Sequence, residues 1–201
     1  ARDINSFGKS TISSTYLKSR NITREDRIRW KIGFCYEGEY RGRVIIPSFS
    51  KTGRCNYFVS RTYTEDWMKY KNPGASRDIV FNHLYVDWDS DLIIVEGVFD
   101  ALVSGPNTVP ILGSTLREDS QLFQEIVKND TPVYLALDPD AEKKAMRLIN
   151  KLLQYDVEVY KVDISSYADV GEMPKEVFDQ RKKDAARMNT SNYLLRRVNS
   201  I

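Results

Sequence analysis

Four acidic residues stand just after two apolar runs of the sequence. Glu96 and Asp100 follow the first run, and Asp138 and Asp140 follow the second. Carboxylate oxygens are the ligands that hard divalent cations prefer, and such cations keep positions open for phosphate oxygens. No lysine stands among these four positions. The group therefore predicts a site for cations rather than for anions.

The two apolar runs predict the strands that position these acids. Leu92–Val95 consists of four consecutive branched apolar residues, which indicate a strand buried on both faces of a parallel sheet. Residues 133 to 137 repeat this pattern. Gly97 allows a tight turn, and a helix after it would place Asp100 one turn beyond Glu96. Because ligands of open α/β sheets bind outside the carboxyl ends of the strands, we expect the acids to converge there.

The remaining patterns indicate two regions of different architecture. Residues 1 to about 12 are typical of a loose arm, and two short helices follow, the second capped by Thr23 with Asp26 and ending before Gly33. Short strands around a turn at residues 51 to 54 predict a small antiparallel sheet. From residue 91 strands and helices alternate, which favours parallel strands. The first predicted helix spans 14–22, others begin near 98, 117 and 141, and one or two follow Pro174. The predicted strands span 34–36, 42–49, 55–61, 92–95, 108–112, 133–137 and 157–162.

Charge is divided unevenly along the chain. The net charge is +6 for residues 1–90, −7 for residues 91–170 and +3 for residues 171–201. A basic part beside an acidic part that suits metal ions would fit a polyanion held by one and acted on by the other, but the asymmetry alone fits charges that only solvate surfaces equally well. No apolar stretch approaches the ~18 residues of a membrane helix, so we expect a soluble, intracellular protein.

The cysteines argue against a structural zinc site. Cys35 and Cys55 lie twenty residues apart with no second ligand beside either of them, and His83 is the single histidine. This spacing excludes a four-ligand zinc ribbon within the sequence. We expect two reduced, buried thiols on neighbouring strands.

The acidic motifs resemble those of the Toprim domain. The resemblance rests on Ile-Ile-Val-Glu96-Gly-Val-Phe-Asp100, on Ala-Leu-Asp138-Pro-Asp140 and on a strand between them that ends in Leu112-Gly113-Ser114-Thr115. Topoisomerases, bacterial-type primases, recombination-mediator proteins and a class of nucleases share this fold. The resemblance implies magnesium-dependent phosphoryl chemistry on nucleic acid.

The preceding residues resemble the amino-terminal subdomain of the RNA polymerase domain of bacterial-type (DnaG-like) primases. The matching segments are Tyr40-Arg41-Gly42-Arg43-Val44-Ile45-Ile46-Pro47, Lys69-Tyr70-Lys71-Asn72-Pro73 and Leu84-Tyr85, and the resemblance covers residues 14 to 170. It implies the fold class α/β, with an α+β amino-terminal subdomain in residues 1–90 and a Toprim-type parallel α/β domain in residues 91–170. Residues 171–201 would form a helical connector or the start of a further helical region.

This resemblance implies a DNA primase catalytic core, from a bacterium or a phage, that makes short RNA primers. The expected partners are a single-stranded DNA template, ribonucleoside triphosphates and a replicative helicase, with no membrane. The expected cofactors are two or more Mg²⁺ or Mn²⁺ ions, with no zinc. The expected location is the nucleoid region of the bacterial or phage-infected cytoplasm.

Position by position, the resemblance also implies site residues. Glu96, Asp138 and Asp140 would be catalytic, with Glu96 organising metal or doing acid/base work. The metal ligands would be Glu96, Asp100, Asp138, Asp140 and Asp169. The sequence around Asp169 departs from the family motif, so that metal position would be either weaker or completed by Glu172. Nucleotide and template would contact Arg43, Arg61, Lys69, Tyr70 and Asn72.

Other readings stay open. A Toprim-type nuclease or nicking enzyme would use the same acids, but such enzymes lack the basic subdomain of residues 43 to 72. A non-catalytic module that binds DNA or a helicase is a third possibility. Trp67 and Tyr70 would either stack on a template base or pack within the protein. The sequence also lacks a zinc-binding template reader, which suggests an excised core or a compact phage-like variant.

Overall fold

The computed structural model describes residues 11–113 and 116–198. Most of the predicted amino-terminal arm lies outside the described residues, as do Ser114 and Thr115 of the motif between the acids. The described chain divides into two compact units. The first unit contains the residues up to Arg77 together with Phe81–Leu84, and the second contains Asp78–Val80 and the residues from Tyr85 onward. The division into three domains that the sequence suggested stays a prediction.

Two short helices open the first unit. Helix α1 spans Thr11–Lys18 and α2 spans Arg24–Arg29. The predicted capping of α2 is confirmed, because Thr23 Oγ1 accepts from the amide of Asp26 and the Asp26 carboxylate accepts from the amide of Thr23. The prediction of a helix over residues 14–22 was placed too late, because α1 begins at Thr11 and the left-handed φ of 57° at Asn21 ends it.

A three-stranded antiparallel sheet completes the first unit. Its strands are β1 Gly33–Cys35, β2 Arg43–Phe49 and β3 Cys55–Thr62, with β2 in the centre. The predicted strands and the turn between β2 and β3 are confirmed within one residue. The core of this unit combines side chains from the sheet, from helix α1 and from the connecting segments that are at most 6% exposed: Leu17, Ile22, Trp30, Ile32, Phe34, Val44, Ile46, Val59 and Phe81.

The second unit is built on a five-stranded sheet. Its strands are β4 Leu92–Val95, β5 Thr108–Pro110, β6 Val133–Ala136, β7 Val159–Lys161 and β8 Ala186–Arg187, in the order β5-β4-β6-β7-β8. Strands β4 to β7 are parallel, and β8 pairs antiparallel with β7. All four residues of β4 are buried, as its unbroken apolar run predicted. The α/β fold class is confirmed.

The helices of this unit are α3 Val98–Val103, α4 Gln121–Asn129, α5 Glu142–Gln154, α6 Lys175–Lys183 and α7 Thr190–Val198. The prediction that a helix begins near Arg117 was four residues early, because residues 117–120 form a turn in which the hydroxyl and the amide of Ser120 both bond the carbonyl of Arg117. Strand β8 was not predicted, since two residues are too few to show a periodic pattern.

Both cysteines are free thiols, as expected, but their predicted surroundings were wrong. Cys35 in β1 is half-buried and Cys55 in β3 is exposed. Their strands are separated by β2 and are therefore not neighbours. In the part of the chain that the structure describes, no helix is long and apolar enough to cross a membrane.

Candidate active site

Strand topology brings three of the predicted acids together. Strands β4 and β6 are adjacent and parallel, with Val95 beside Ala136, so their carboxyl ends lie at one edge of the sheet. Glu96 follows β4 directly, and Asp138 and Asp140 follow β6. One carboxylate oxygen from each of these acids lies within 4.8 Å of the others. We call Glu96, Asp138 and Asp140 the acidic cluster.

Within the acidic cluster, the surroundings of Asp138 disfavour the ionised form of its carboxyl. Burial, the nearby charges of Asp100, Glu96 and Asp169, and a side-chain hydrogen bond with Glu96 together raise the pKa of its carboxyl to about 7. Its Oδ1 is buried and has no hydrogen-bond partner among the described residues. A desolvated carboxylate with an unused oxygen, facing two other acids, suits a divalent cation, which would supply the missing positive charge.

Asp100 lies beside the acidic cluster but uses both its oxygens on the backbone. Its Oδ2 accepts from the amide of Gly97 at 2.9 Å, and its Oδ1 accepts from the amide of Gly171 at 3.1 Å. Burial and the charge of Asp169 raise its pKa to about 6, against the opposing effect of these two hydrogen bonds. A Cβ on Gly97 or Gly171 would approach the Asp100 carboxylate to 3.0 or 3.1 Å, so both glycines leave space for it. Asp100 therefore ties the start of α3 to the turn around Gly171.

Asp169 starts the 3₁₀ turn Val170–Glu172. Its Oδ1 accepts from the amide of Glu172 at 2.9 Å, and its charge acts on both Asp100 and Asp138. The structure places Asp100 and Asp169 near the acidic cluster but outside the group whose oxygens converge.

A lysine that the sequence reading overlooked meets the acidic cluster. Lys144 lies near the start of α5, and its Nζ is 2.6 Å from Oε1 of Glu96. The four acidic positions contain no lysine, and the contact of Lys144 with Glu96 was not predicted. Helical spacing could have indicated this lysine, because Lys144 stands four residues after Asp140, one turn along the segment that leads into α5.

In the first unit, the structure buries Arg43 instead of presenting it to solvent. Arg43 is 3% exposed, and its Nη2 donates to Oδ2 of Asp66 at 2.5 Å and to the carbonyl of Met68 at 2.8 Å. Its Nη1 is buried and has no hydrogen-bond partner among the described residues. Arg43 thus holds the loop of residues 66–72 from two points that flank Trp67.

The other basic-region residues lie on or against this loop. Arg61 is buried; its Nη1 donates to the Tyr70 hydroxyl at 2.5 Å, and its guanidinium lies 5.0 Å from the centre of the Tyr70 ring. Asn72 Oδ1 accepts from the amide of Ser60 at 3.0 Å. The side chains of Lys69, Tyr70 and Asn72 are exposed. Trp67 is 90% exposed, so it is not a packing residue within its unit.

The chain is similar in sequence and in fold to DNA primases. No family model matches the chain. A DNA primase of Thermotoga maritima is 24% identical over a match that covers 94% of this chain and 37% of that protein. Among solved structures, a DnaG primase catalytic domain bound to ssDNA matches 94% of this chain and 75% of that chain, with a TM-score of 0.76 and 20% identity. The chain has the fold of the DnaG catalytic core.

A second structure supports this assignment. The Aquifex aeolicus primase, comprising its zinc-binding and RNA polymerase domains, matches 90% of this chain and 57% of that chain, with a TM-score of 0.74 and 24% identity. The resemblance to DnaG-like primases that the sequence motifs indicated is therefore confirmed. The chain spans little more than a third of the length of the curated Thermotoga relative.

Proposed function

We propose that the chain is the catalytic core of a DNA primase and joins ribonucleotides on a single-stranded DNA template. The observation that carries this proposal is the acidic cluster at the carboxyl ends of β4 and β6, with a buried and unpartnered Asp138 oxygen, in a chain with the DnaG core fold. The similarity to a curated DNA primase supports the same conclusion.

Glu96, Asp138 and Asp140 fit one or more divalent cations, Mg²⁺ or Mn²⁺, because their donors are all carboxylate oxygens. When bound, such a cation would supply Lewis-acid stabilisation of the phosphate charge that develops during nucleotidyl transfer. The carboxylates would fix its position at the sheet edge. Asp100 and Asp169 would support this arrangement by holding the backbone around Gly97 and Gly171.

The joining reaction forms a bond between the 3′-hydroxyl oxygen of one nucleotide and the α-phosphorus of the next, and releases pyrophosphate. The proton of the hydroxyl must pass to an acceptor. We assign this role to Glu96, whose half-buried carboxylate lies within 4.8 Å of both other members of the acidic cluster. Asp138 and Asp140 would then act only as cation ligands, whereas Glu96 would also accept the proton.

The 66–72 loop supplies the template contacts in this proposal. Lys69 offers an exposed charge for a phosphate, and Tyr70 and Asn72 offer an exposed ring and an exposed amide. Arg61 would act through Tyr70, and Arg43 would act mainly by holding the loop. A related DnaG domain has been solved with single-stranded DNA. Ribonucleoside triphosphates would be the substrates, and a replicative helicase is the protein partner that this function suggests.

The test is incorporation of labelled ribonucleotides on single-stranded DNA with Mn²⁺, with the wild type compared with Glu96→Gln and Asp138→Asn. Asp130→Asn is the matched control, because Asp130 is an exposed acid at the end of α4, away from the sheet edge. We expect template-dependent short RNA from the wild type and the control, and none from the two cluster variants. A dinucleotide-primed reaction run in parallel separates extension from initiation.

Two results would contradict the proposal. Nicking or degradation of the DNA that depends on Asp138, without RNA synthesis, would make the protein a nuclease. Absence of both activities, including the dinucleotide-primed extension, would leave a non-catalytic module that binds nucleic acid or a helicase.

A further inference from the structure

Lys144 brings a positive charge into contact with the acidic cluster. Its Nζ lies 2.6 Å from Oε1 of Glu96, and both side chains are half-buried. Glu142, two residues earlier on the same helix, pairs elsewhere, with Lys161 at 2.9 Å. Lys143 is exposed to solvent. Of these helix α5 residues, Lys144 is therefore the one whose charge reaches the carboxylates.

An ammonium group and a divalent cation compete for the same carboxylate. Glu96 offers its oxygens both to Lys144 and to a site that it shares with Asp138 and Asp140. A cation bound by these three acids would lie close to Nζ, since Nζ already contacts one of them. Two positive charges at such a separation repel each other strongly where solvent screening is incomplete.

We propose that Lys144 neutralises Glu96 in the metal-free protein and thereby lowers the affinity of the acidic cluster for divalent cations. Metal entry then requires Nζ to leave Oε1 of Glu96, and the flexible four-carbon stem of lysine allows this movement. Lys144 is a positioning residue that acts through Glu96. The inference deepens the proposed function, because it rests on the metal centre assigned there.

The test is a titration of the whole chain with Mn²⁺, in which free Mn²⁺ is followed by electron paramagnetic resonance without DNA or nucleotides. Lys144→Met removes the charge and keeps most of the side-chain volume, whereas Lys144→Arg keeps the charge. Lys143→Met is the matched control, because it changes the net charge equally on the same helix at an exposed position. We expect Lys144→Met to bind Mn²⁺ about tenfold more tightly than the wild type. Lys144→Arg and Lys143→Met should stay close to the wild type.

Unchanged or weaker Mn²⁺ binding by Lys144→Met would overturn the inference. Equal tightening by Lys143→Met would also overturn it, because the effect would then come from net charge and not from contact with Glu96. Asp138→Asn separates this failure from failure of the proposed function. Wild-type Mn²⁺ binding that Asp138→Asn abolishes establishes the metal centre whatever Lys144 does, whereas absence of binding in every variant rejects both.

Discussion

The acidic cluster of the second unit and the 66–72 loop of the first unit differ in whether their buried charged side chains have partners within the protein. In the acidic cluster, Asp138 has a buried oxygen without a partner, and its pKa is raised to about 7 by burial and by neighbouring carboxylates. At the loop, the buried Arg43 is joined to Asp66 and to the backbone of Met68. Without a ligand, the acidic cluster keeps a buried carboxylate oxygen that has no hydrogen-bond partner among the residues that the structure describes. Arg43, in contrast, finds most of its hydrogen-bond partners within the protein.

This difference separates two uses of charge that look alike in a sequence. A charged group left unsatisfied in the folded state costs stability, so its retention indicates a ligand that completes it. A buried charge with internal partners is explained by the structure it holds together. Asp138 fits the first description, whereas Arg43, whose Nη2 has two partners although its Nη1 has none in the described part of the chain, fits mainly the second. Substitution of Asp138 should therefore mainly weaken cation binding, whereas substitution of Arg43 should mainly lower stability.

Asp138→Asn should give the largest effect. We expect RNA synthesis to fall by at least about 100-fold, because removing a carboxylate from the cation site withdraws several kcal/mol of charge stabilisation. Thermal unfolding of the metal-free variant at neutral pH should match or exceed that of the wild type, since a strained carboxylate is gone. A clearly destabilised variant would instead place Asp138 in a structural role.

Arg43→Met should show the reverse pattern. We expect the free energy of unfolding to fall by about 2 kcal/mol, because Asp66 and the Met68 carbonyl lose their donor. Urea unfolding measures this, with Arg41→Met as the exposed control, for which we expect a change below about 0.5 kcal/mol. If Arg43→Met keeps its stability but loses affinity for DNA, then Arg43 meets the phosphate directly and the contrast between the regions fails.

Trp67→Ala should have an intermediate effect confined to nucleic-acid binding. The side chain is 90% exposed and lies between the two residues that Arg43 holds. If it stacks on a base, its loss should weaken binding of single-stranded DNA about tenfold, and DNA should quench tryptophan fluorescence less than in the wild type. Ile28→Ala, which removes an exposed apolar side chain from α2, should change neither quantity. Identical DNA affinity in Trp67→Ala would remove Trp67 from the template surface.

The smallest expected effect is a pH dependence of the metal-free protein. The pKa values of Asp138 and Asp100 are raised to about 7 and about 6 from a usual value of 3.8. Between pH 3.8 and about pH 7 the folded protein keeps protons that the unfolded chain has lost, so these two groups should make stability fall as the pH rises from about 4 to about 7.

Thermal unfolding with a chelator at several pH values measures this slope. Asp138→Asn should flatten it, and Mn²⁺ should oppose it, because a bound cation favours the ionised carboxylates. Stability that rises with pH over this range in the chelated wild type would contradict the assigned pKa directions.

The sequence predicted the acidic cluster well because its position follows from topology. Buried runs such as Leu92–Val95 show parallel strands directly, and the carboxyl ends of such strands share one edge. The hydrogen bonds of Asp100 were not predictable, since one of its partners is the amide of Gly171, 71 residues away. Whether a carboxylate accepts hydrogen bonds from the backbone depends on the geometry of turns, which the periodicity of the sequence does not indicate.

The same limit explains Arg43 and Lys144. The partner of Arg43 is Asp66, 23 residues later in an irregular loop, so its burial leaves no local pattern. Lys144 contacts Glu96 across 48 residues of sequence, and only the pairing of β4 with β6 brings their segments together. Residue type thus indicated which side chains carry charge, but not which charges are already satisfied.

The central claim is that the acidic cluster holds a divalent cation, and anomalous diffraction from crystals grown with Mn²⁺ tests it most directly. The account predicts an anomalous peak among the carboxylates of Glu96, Asp138 and Asp140, with Lys144 Nζ displaced from Glu96. A map without a peak at saturating Mn²⁺, with Lys144 still bound to Glu96, would contradict it.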